Sequence, residues 1–279
     1  MRLLHPTDFS PAAGSALELA RDIRARLSGT LHLVHVQQRF EEGVDGSGAR
    51  AHLDTVNPQL MRWQEEARAQ EVKHLRAMVA NLANPDGTSE LRWGNPLREL
   101  LEMQAHYDLI VMGAHGSNRF DDFFLGGLAE RLVRRSRRPV ITVREENRAK
   151  RVGRVLVATD FSEPASNAYA FCRKLAAAGV KLVLCHIIGE PRDYEDSDYV
   201  SQATERLAQL SKGSAERQLI RQGDPNKVLP KLAEEVGADL IAIGLKHQRS
   251  AVGLLLGRRA DALIRSSPVP ILSVPLASD

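Results

Sequence analysis

The sequence predicts an α/β protein made of two tandem copies of a doubly wound domain, each with a five-stranded parallel sheet in the strand order 3-2-1-4-5. The first observation is an internal repeat, because PTDFS at residues 6–10 returns as ATDFS at residues 158–162, 152 positions later. The second is that DLI at residues 108–110 returns at residues 239–241, 131 positions later. The third is that apolar strands alternate with amphipathic helices, which is typical of a parallel sheet covered on both faces.

The length of the chain also favours two domains. Its 279 residues exceed what one hydrophobic core usually organises, whereas each half matches the common domain size of roughly 100–150 residues. We expect a first domain at residues 1–145 and a second at residues 152–279, joined by the charged stretch 145–151. The second copy is shorter by about twenty residues, which are missing between its second and third strands.

In the first copy, strands and helices are predicted in strict alternation. Leu3-Leu4 lies in the first strand, and a turn at residues 6–8 leads to a helix capped by Ser10 with Pro11 in its first turn. Asn95-Pro96 begins a later helix. The other strands are expected at residues 31–36, 90–93, 109–112 and 139–143. The buried helix positions are Ala13, Leu17, Ala20, Ile23, Leu27, Leu75, Met78, Val79, Leu82, Leu97, Leu100, Leu101, Ala105, Leu128, Leu132 and Val133.

The second copy repeats this pattern. Asp224-Pro225 supplies the cap and the first turn of a helix whose buried stripe is Val228, Leu232 and Val236, and residues 240–243 form the next strand. Both copies therefore read βαβαβαβαβ, wound by right-handed crossovers.

The predicted strand order locates a ligand site. Doubly wound sheets bind ligands beyond the carboxyl ends of their strands, where the winding reverses. In the order 3-2-1-4-5 that crevice lies between the first and fourth strands, so the loops that carry Asp8 and Gly113 face each other. The last strands, at residues 140–143 and 271–274, lie at sheet edges that must be covered.

Composition excludes several classes of protein. Basic residues exceed acidic ones by only three, so nucleic acid is not expected as a partner. Residues 134–138 and 258–259 are rich in arginine, and we leave open whether they attract anions or are solvated helix ends. Two cysteines are too few for a disulfide framework, and no signal peptide or membrane-spanning run is recognisable, so we expect a cytoplasmic protein that does not bind membranes.

The glycines after the fourth strand carry a possible anion site. Gly113 and Gly116 precede a nine-residue stretch that ends at Gly126-Gly127, where a helix begins. Glycine allows close approach of the backbone to a ligand, and free amides at a helix N-terminus attract phosphate without side-chain cations. The alternative is that Gly113 and Gly116 only turn the chain after a strand, and spacing alone does not decide between the two.

The ensemble of motifs resembles the universal stress proteins in their tandem form. The resemblance spans nearly the whole chain and rests on five kinds of motif: PTDFS, LHLVHV, GNPLRELL with GDPNKVLPKLA, DLIVMGAHG, and PVITV with PVPILSV. It implies the fold of the adenine nucleotide alpha hydrolases, and ATP binding through GxxG, nine residues, then Gly followed by Ser or Thr. The first copy departs from that signature at Gly127, where the hydroxyl residue is missing.

The resemblance also implies the residues that bind the nucleotide. Asp8 would bond the ribose or the adenine end and Val36 would read adenine through its backbone, whereas Met112 and Gly113 would flank the nucleotide. Asp8 has an alternative role as a turn residue that bonds its own backbone. The full expected set is Pro6, Thr7, Asp8, Val36, Met112, Gly113, His115, Gly116, Gly126, Gly127 and Leu128, the last four around the phosphates and His115 either on phosphate or in solvent.

The second copy departs further from the signature. His247 stands where the second glycine belongs, and Arg258 replaces the hydroxyl residue. An imidazole there would fill space that phosphate needs, although Lys246 and Arg258 could still attract an anion. We expect this half to bind no nucleotide, or to bind it in another pose.

The other reactive side chains do not by themselves indicate a catalytic or metal site. His35 and His186 lie within strands and are expected to be packed and hydrogen-bonded, and both cysteines to be buried. Asp121-Asp122 either approaches a magnesium-bound phosphate or is a solvated loop tip. No nucleophile with an oriented base is evident, so we expect at most slow ATP hydrolysis.

The expected function is therefore binding. The protein would bind ATP with Mg²⁺, with ADP and AMP as the other candidates, and act as a nucleotide-responsive regulator in stress response. The nucleotide would order residues 41–50 and 117–125 and change the surface offered to a protein partner.

We also expect the halves to pair through their last strands as an internal pseudo-dimer, and whole chains to form a homodimer. The rivals are a scaffold without nucleotide and a slow ATPase or adenylyl-transfer enzyme.

Overall fold

The structure of the protein is a computed structural model. It describes residues 1–38, 58–85, 87–114, 127–147, 150–189, 197–212, 215, 217–245, 248–250, 253–255 and 258–276. The elements of the N-terminal half are β1 Arg2–Pro6, α1 Pro11–Arg26, β2 Thr30–Gln37, α2 Pro58–Ala83, β3 Thr88–Trp93, α3 Pro96–Met103, β4 Leu109–Gly113, α4 Gly127–Arg135 and β5 Val140–Val143. Those of the C-terminal half are β6 Arg154–Thr159, α5 Glu163–Ala176, β7 Lys181–Ile188, α6 Ser197–Ser211, β8 Arg217–Gln222, α7 Pro225–Val236, β9 Leu240–Leu245, β10 Gln248–Ser250, β11 Gly253–Leu255, α8 Arg258–Ser266 and β12 Ile271–Pro275.

The predicted helix caps are present. The Ser10 hydroxyl accepts a hydrogen bond from the Ala13 amide at 3.2 Å, with proline at the start of α1. The Asn95 side chain accepts from the Arg98 amide at 3.2 Å at the start of α3. Asp224 caps α7 in the same way. These short side chains satisfy amides that have no partner inside the first turn, which is why the helices begin there.

One ten-stranded sheet runs through the molecule, in the order β3-β2-β1-β4-β5-β12-β9-β6-β7-β8. Each half is parallel and has the predicted order 3-2-1-4-5. The halves meet where β5 and β12 pair in antiparallel register, with Thr142 opposite Ile271 and Ile141 opposite Leu272. The two last strands therefore cover each other, as expected of an internal pseudo-dimer, and pairing between two whole chains remains a prediction.

Two apolar cores lie on the two faces of this sheet. One is built by residues of α1, α2, α5 and α6, such as Leu19 and Leu175. The other is built by residues of α3, α4, α7 and α8, such as Leu132 and Leu232. Because each face is covered by helices from both halves, the duplication produces one continuous three-layer structure.

The predicted linker is tied to both halves where the structure describes it. The Asn147 side chain is buried, accepts from the Arg144 amide at 2.7 Å and donates to the Ser267 carbonyl at 3.2 Å. Just beyond the linker, the Val152 amide donates to Asp22 of α1 at 2.8 Å. The domain limits at residues 145 and 152 remain a prediction.

Two details differ from the sequence prediction. Ala105 is exposed, because α3 tightens into a 3₁₀ turn at Gln104–His106 and Met103 takes the buried position instead. The antiparallel hairpin of β10 and β11 was not predicted, because two strands of three residues are too short to show a pattern. No helix within the described ranges is long and apolar enough to cross a membrane.

Candidate functional site

The carboxyl ends of three neighbouring strands form the centre of the candidate site. In the order β2-β1-β4, these ends carry Val36, then Pro6 with Thr7 and Asp8, then Met112 with Gly113. The chain leaves β1 toward the face that holds α1 and leaves β4 toward the face that holds α4. The winding therefore reverses between β1 and β4, which is where a doubly wound sheet is expected to hold its ligand crevice.

The turn after β1 is held by its own side chains. The Thr7 hydroxyl accepts from the Phe9 amide at 3.1 Å, and one Asp8 oxygen accepts from the Ser10 amide at 3.1 Å and the Ser10 hydroxyl at 2.6 Å. These bonds stabilise the left-handed backbone at Phe9, whose φ is 63°. The turn role that we considered for Asp8 is thus observed, and the residue is also exposed beside the switch point between β1 and β4.

The same turn recurs in the C-terminal half. The Thr159 hydroxyl accepts from the Phe161 amide at 2.9 Å, Asp160 accepts from the Ser162 amide at 3.0 Å, and the φ of Phe161 is 60°. The repeated sequence therefore forms the same hydrogen bonds from side chains to the backbone in both halves. Because the C-terminal half has lost the second glycine and the hydroxyl residue of the signature and keeps this turn, the turn alone does not identify a phosphate site.

Each turn is clamped by a histidine of the adjacent strand. The His35 Nδ1 donates to the Thr7 carbonyl at 2.7 Å, and its ring lies 4.7 Å from the Phe9 ring. His186 repeats this toward the Thr159 carbonyl at 2.8 Å. A carbonyl oxygen can only accept, so the proton is on Nδ1 in both rings. Both histidines are packed and hydrogen-bonded, as the sequence predicted.

His5 is a structural residue of the site that the sequence analysis missed. It is fully buried on β1, and its Nδ1 donates to the Val111 carbonyl of β4 at 2.8 Å. Burial lowers the pKa of His5 from 6.5 to about 4, so the ring is neutral at physiological pH. His5 and Leu3 share one face of β1, so the alternation of the strand was the signal that could have placed His5 in the core.

Gly113 is required by packing. A Cβ at this position would lie 2.9 Å from the Ala13 amide nitrogen and 3.0 Å from the Ala12 carbonyl carbon, both in the first turn of α1. At the equivalent Gly244, a Cβ would overlap the backbone of Pro164 and Ala165 at the start of α5. Close approach of a helix therefore explains both glycines, with or without a ligand.

Gly127 differs, because no described backbone crowds it. It is exposed at the start of α4, and among the described residues a Cβ there would meet only the Arg131 guanidinium, at 3.7 Å. Arg131 Nε donates to the Gly127 carbonyl at 2.6 Å, and Leu128 is half-buried beside it. The packing of the described residues therefore does not require a glycine at 127.

Several predicted site residues lie outside the described residues. They are His115, Gly116, Gly126, Asp121, Asp122, Lys246 and His247, together with the loops at 41–50 and 117–125. Arg258 is placed at the start of α8 by its backbone. Within the described ranges, no cluster of three or more histidine, cysteine or acidic side chains could hold a metal ion.

The comparison with protein families decides the identity of the fold. The model described as the universal stress protein family matches residues 1–144 and again residues 151–275. The chain belongs to the universal stress protein family. Two successive matches make it a tandem member, as its motifs indicated.

Known relatives extend this finding. The universal stress protein Rv2623 of Mycobacterium tuberculosis is 25% identical over 95% of this chain and 93% of its own. The solved structure of a universal stress protein from Archaeoglobus fulgidus has a TM-score of 0.72 at 23% identity, covers 98% of both chains and confirms the fold. Another universal stress protein, solved in complex with cAMP, is 26% identical, covers 45% of this chain and 98% of its own, and has a TM-score of 0.34.

Proposed function

We propose that the N-terminal half of this universal stress protein binds an adenine nucleotide, ATP in the first place, and that the chain acts in the cytoplasm as a nucleotide-responsive regulator of stress response. The observation that carries the proposal is the switch point between β1 and β4. There Asp8 follows β1 and is exposed, and the neighbouring strand β4 ends in Met112 and Gly113. Doubly wound folds bind nucleotides in this position.

The phosphate end of the proposed site is the start of α4. The first amides of a helix have no partner inside the helix, and the helix dipole makes this end positive. Gly127 supplies an exposed backbone without a side chain in the way, and the Arg131 guanidinium lies next to it. An adenine at Val36 and phosphates at Gly127 would span the crevice in the manner that the family signature implies.

Magnesium would enter with the nucleotide. Mg²⁺ usually keeps several of its waters and is held through phosphate oxygens with one or two carboxylates, so it does not need a dedicated protein cage. The sequence fits that mode, because Asp121-Asp122 precede Gly127 by only a few residues and are the carboxylates that would approach a magnesium-bound phosphate. Bound Mg²⁺ would neutralise phosphate charge beside Gly127.

The C-terminal half is proposed to be chiefly structural. Through β12 it pairs with β5, and through Ser267 it holds the linker residue Asn147. It thereby completes the sheet and the two cores on which the first site rests. His247 and Arg258 replace two residues of the phosphate-binding signature in this half, which supports a structural role for it.

One observation favours a second candidate, an interaction scaffold that binds no nucleotide. The packing of α1 against Gly113 explains that glycine without a ligand, so part of the signature has a purely structural cause. The scaffold keeps the fold and the docking surfaces but has no adenylate affinity.

Native mass spectrometry and calorimetry separate the two candidates. Protein purified under native conditions is expected to carry one adenine nucleotide per chain, and the stripped protein to bind ATP with Mg²⁺ in titration calorimetry. Parallel titrations with ADP and AMP identify the preferred ligand. No copurified nucleotide together with no heat on titration would reject nucleotide binding and support the scaffold.

A further inference from the structure

The ten-stranded sheet has two ends, and the strand at each end has one side without a neighbouring strand. Among the described residues these two strands are β3, Thr88–Trp93, and β8, Arg217–Gln222. An end strand leaves every second N–H and C=O outside the ladder, and such a row can pair with another extended chain. Whether an end is open to a partner depends on which groups point outward and on what already bonds them.

The outward row of β3 consists of Ser89, Leu91 and Trp93. The Gly94 amide donates to the Gln37 carbonyl of β2 at 3.0 Å, so the even-numbered residues of β3 turn toward β2 and the odd-numbered ones turn away. Within the described part of the chain, no group bonds the backbone N–H or C=O of this row. Ser89 is exposed, and the other two residues are half-buried. The outward edge of β3 is therefore open.

The outward row of β8 is partly occupied. The Gly223 amide donates to the Ile188 carbonyl of β7 at 2.9 Å, so the even-numbered residues of β8 turn outward. One of them, Ile220, has its carbonyl bonded by Nη1 of Arg221 at 3.1 Å. Arg217 and Arg221 give this strand positive charge, and it contains no acidic residue. A guanidinium on the edge and charges of one sign both oppose pairing with an identical strand, so β8 is protected.

The charged side chains of β3 have opposite signs and spare capacity. Arg92 Nε donates to Glu90 Oε1 at 2.9 Å and Nη1 donates to Glu99 Oε2 at 3.3 Å, whereas Nη2 bonds nothing among the described residues. Glu90 Oε2 lies 3.5 Å from His32 Nε2, which is too far for a good hydrogen bond. Glu90 and Arg92 can therefore each accept one more partner of opposite charge.

Two copies of β3 are complementary in one antiparallel register, with the two-fold axis at Leu91. Leu91 then faces Leu91 of the second copy and Ser89 faces Trp93 of the second copy, so the outward rows exchange hydrogen bonds. In this register Glu90 faces Arg92 of the second copy, on both sides of the axis. A shift by two residues places Glu90 opposite Glu90 in one direction and Arg92 opposite Arg92 in the other, and like charges directly opposite are destabilising.

We propose that two copies of this chain dimerise by antiparallel pairing of their β3 strands, which joins two ten-stranded sheets into one. The outward row supplies the backbone hydrogen bonds, and the two Glu90–Arg92 pairs fix the register. The strands β5 and β12 already cover each other, so they are not available to a second copy. The pairing uses no residue of the candidate nucleotide site and does not rest on the proposed function.

Charge reversal tests the register, with sedimentation velocity of the full chain without nucleotide as the measurement. The wild type should dimerise. Glu90→Arg places arginine opposite arginine, and Arg92→Glu places glutamate opposite glutamate, so each variant alone should dimerise about tenfold more weakly or worse. An equimolar mixture of the two variants should form a heterodimer, because every arginine then faces a glutamate.

Proline at the open edge tests the backbone pairing. Ser89→Pro removes an outward N–H without loss of a bond to β2, and its ring obstructs a second strand, so it should weaken dimerisation about tenfold or more. The matched control is Gln222→Pro, which makes the same change at an exposed, outward residue of β8 and should leave the dimer unchanged. Circular dichroism should show both variants and the charge reversals folded.

A cysteine at the two-fold axis tests the geometry directly. In Leu91→Cys the two α-carbons would lie about 5.5 Å apart, within the range of a disulfide, so mild oxidation should give a covalent dimer. Ser89→Cys should not, because its two cysteines would lie about 13 Å apart along the strands. The native thiols are buried.

Four results would each overturn the proposal. They are a wild type that is monomeric at about 100 μM, a mixture of the charge variants that stays monomeric, a dimer that resists Ser89→Pro, and equal cross-linking of the two cysteine variants. Because every measurement is made without nucleotide, none of these results bears on the proposed nucleotide site.

Discussion

The α-carbon of Gly113 packs directly on Ala13. A side chain at Gly113 would bring its first carbon to 2.9 Å from the Ala13 amide nitrogen, at the point where α1 begins. The same relationship joins Gly244 to Pro164 and Ala165, where the overlap would be more severe. The end of the fourth strand and the start of the first helix therefore fix each other in both halves, and this contact sets one wall of the crevice.

Replacing these glycines tests the packing. Gly113→Ala is expected to lower the free energy of unfolding by about 2 kcal/mol and Gly244→Ala by more, because backbone atoms must move to admit the methyl group. Urea unfolding measures both changes. Gly14→Ala is the matched control, since Gly14 lies in α1 with no atom near its added carbon, and alanine there should stabilise by about 0.5–1 kcal/mol. Equal effects at all three positions would contradict this explanation.

Much of the fold could be predicted from the sequence because its signals are local. Ser10, Asn95 and Asp224 cap helices by reaching amides three or fewer residues away, so their meaning is visible in a short stretch of chain. The duplicated turn is visible for the same reason. Strand order followed from the alternation of strands and helices together with the family resemblance.

The features that were missed depend on tertiary contacts. Met103 replaces Ala105 in the core because the end of α3 tightens into a 3₁₀ turn. The spacing of the apolar residues does not predict this tightening. The packing of Gly113 on α1 joins residues 100 positions apart, so the spacing of glycines could not separate a structural cause from a ligand. In the site, the turn role of Asp8 and a packed, hydrogen-bonded His35 were predicted, whereas the partner of His35, the Thr7 carbonyl, and the pairing of His5 with Val111 were not.

His5 predicts a specific dependence of stability on pH. Burial lowers the pKa of His5 to about 4, whereas the unfolded chain titrates near 6.5, so the unfolded state binds more protons between these values. The contribution of the neutral ring is complete above about pH 6.5 and is lost as the pH falls toward 4. Between pH 7 and pH 4 the wild type should lose about 3 kcal/mol more than His5→Val.

Urea unfolding at a series of pH values measures this difference. Valine is the matched replacement, because Val157 occupies the equivalent position in the C-terminal half. Arg21 lowers and Asp8 raises the pKa of His5, each less than burial does, so both effects are part of the His5 titration that the comparison measures. If the free energy of unfolding changed with pH by the same amount in both proteins, the lowered pKa of His5 would be contradicted.

The two thiols should be unreactive in the folded protein. Cys172 and Cys185 are fully buried, and burial raises the pKa of the Cys185 thiol to about 12 and that of Cys172 further. Since the thiolate is the reactive form, Ellman's reagent should label neither thiol in native buffer and both in urea. Rapid labelling of the native protein would contradict the burial of α5 and β7.

Gly127 offers the sharpest test of the proposed nucleotide site. The family signature has a hydroxyl residue at this position, and the described residues leave room for one, since among them an added Cβ would meet only Arg131, at 3.7 Å. Gly127→Ser should therefore raise the affinity for ATP about tenfold, by adding one hydrogen bond to a charged phosphate group. Gly127→Ala is the matched control, because it makes the same change to the backbone without the hydroxyl. Titration calorimetry that finds serine and alanine equal in affinity would show that no phosphate lies at the start of α4, even if ATP binds elsewhere on the chain.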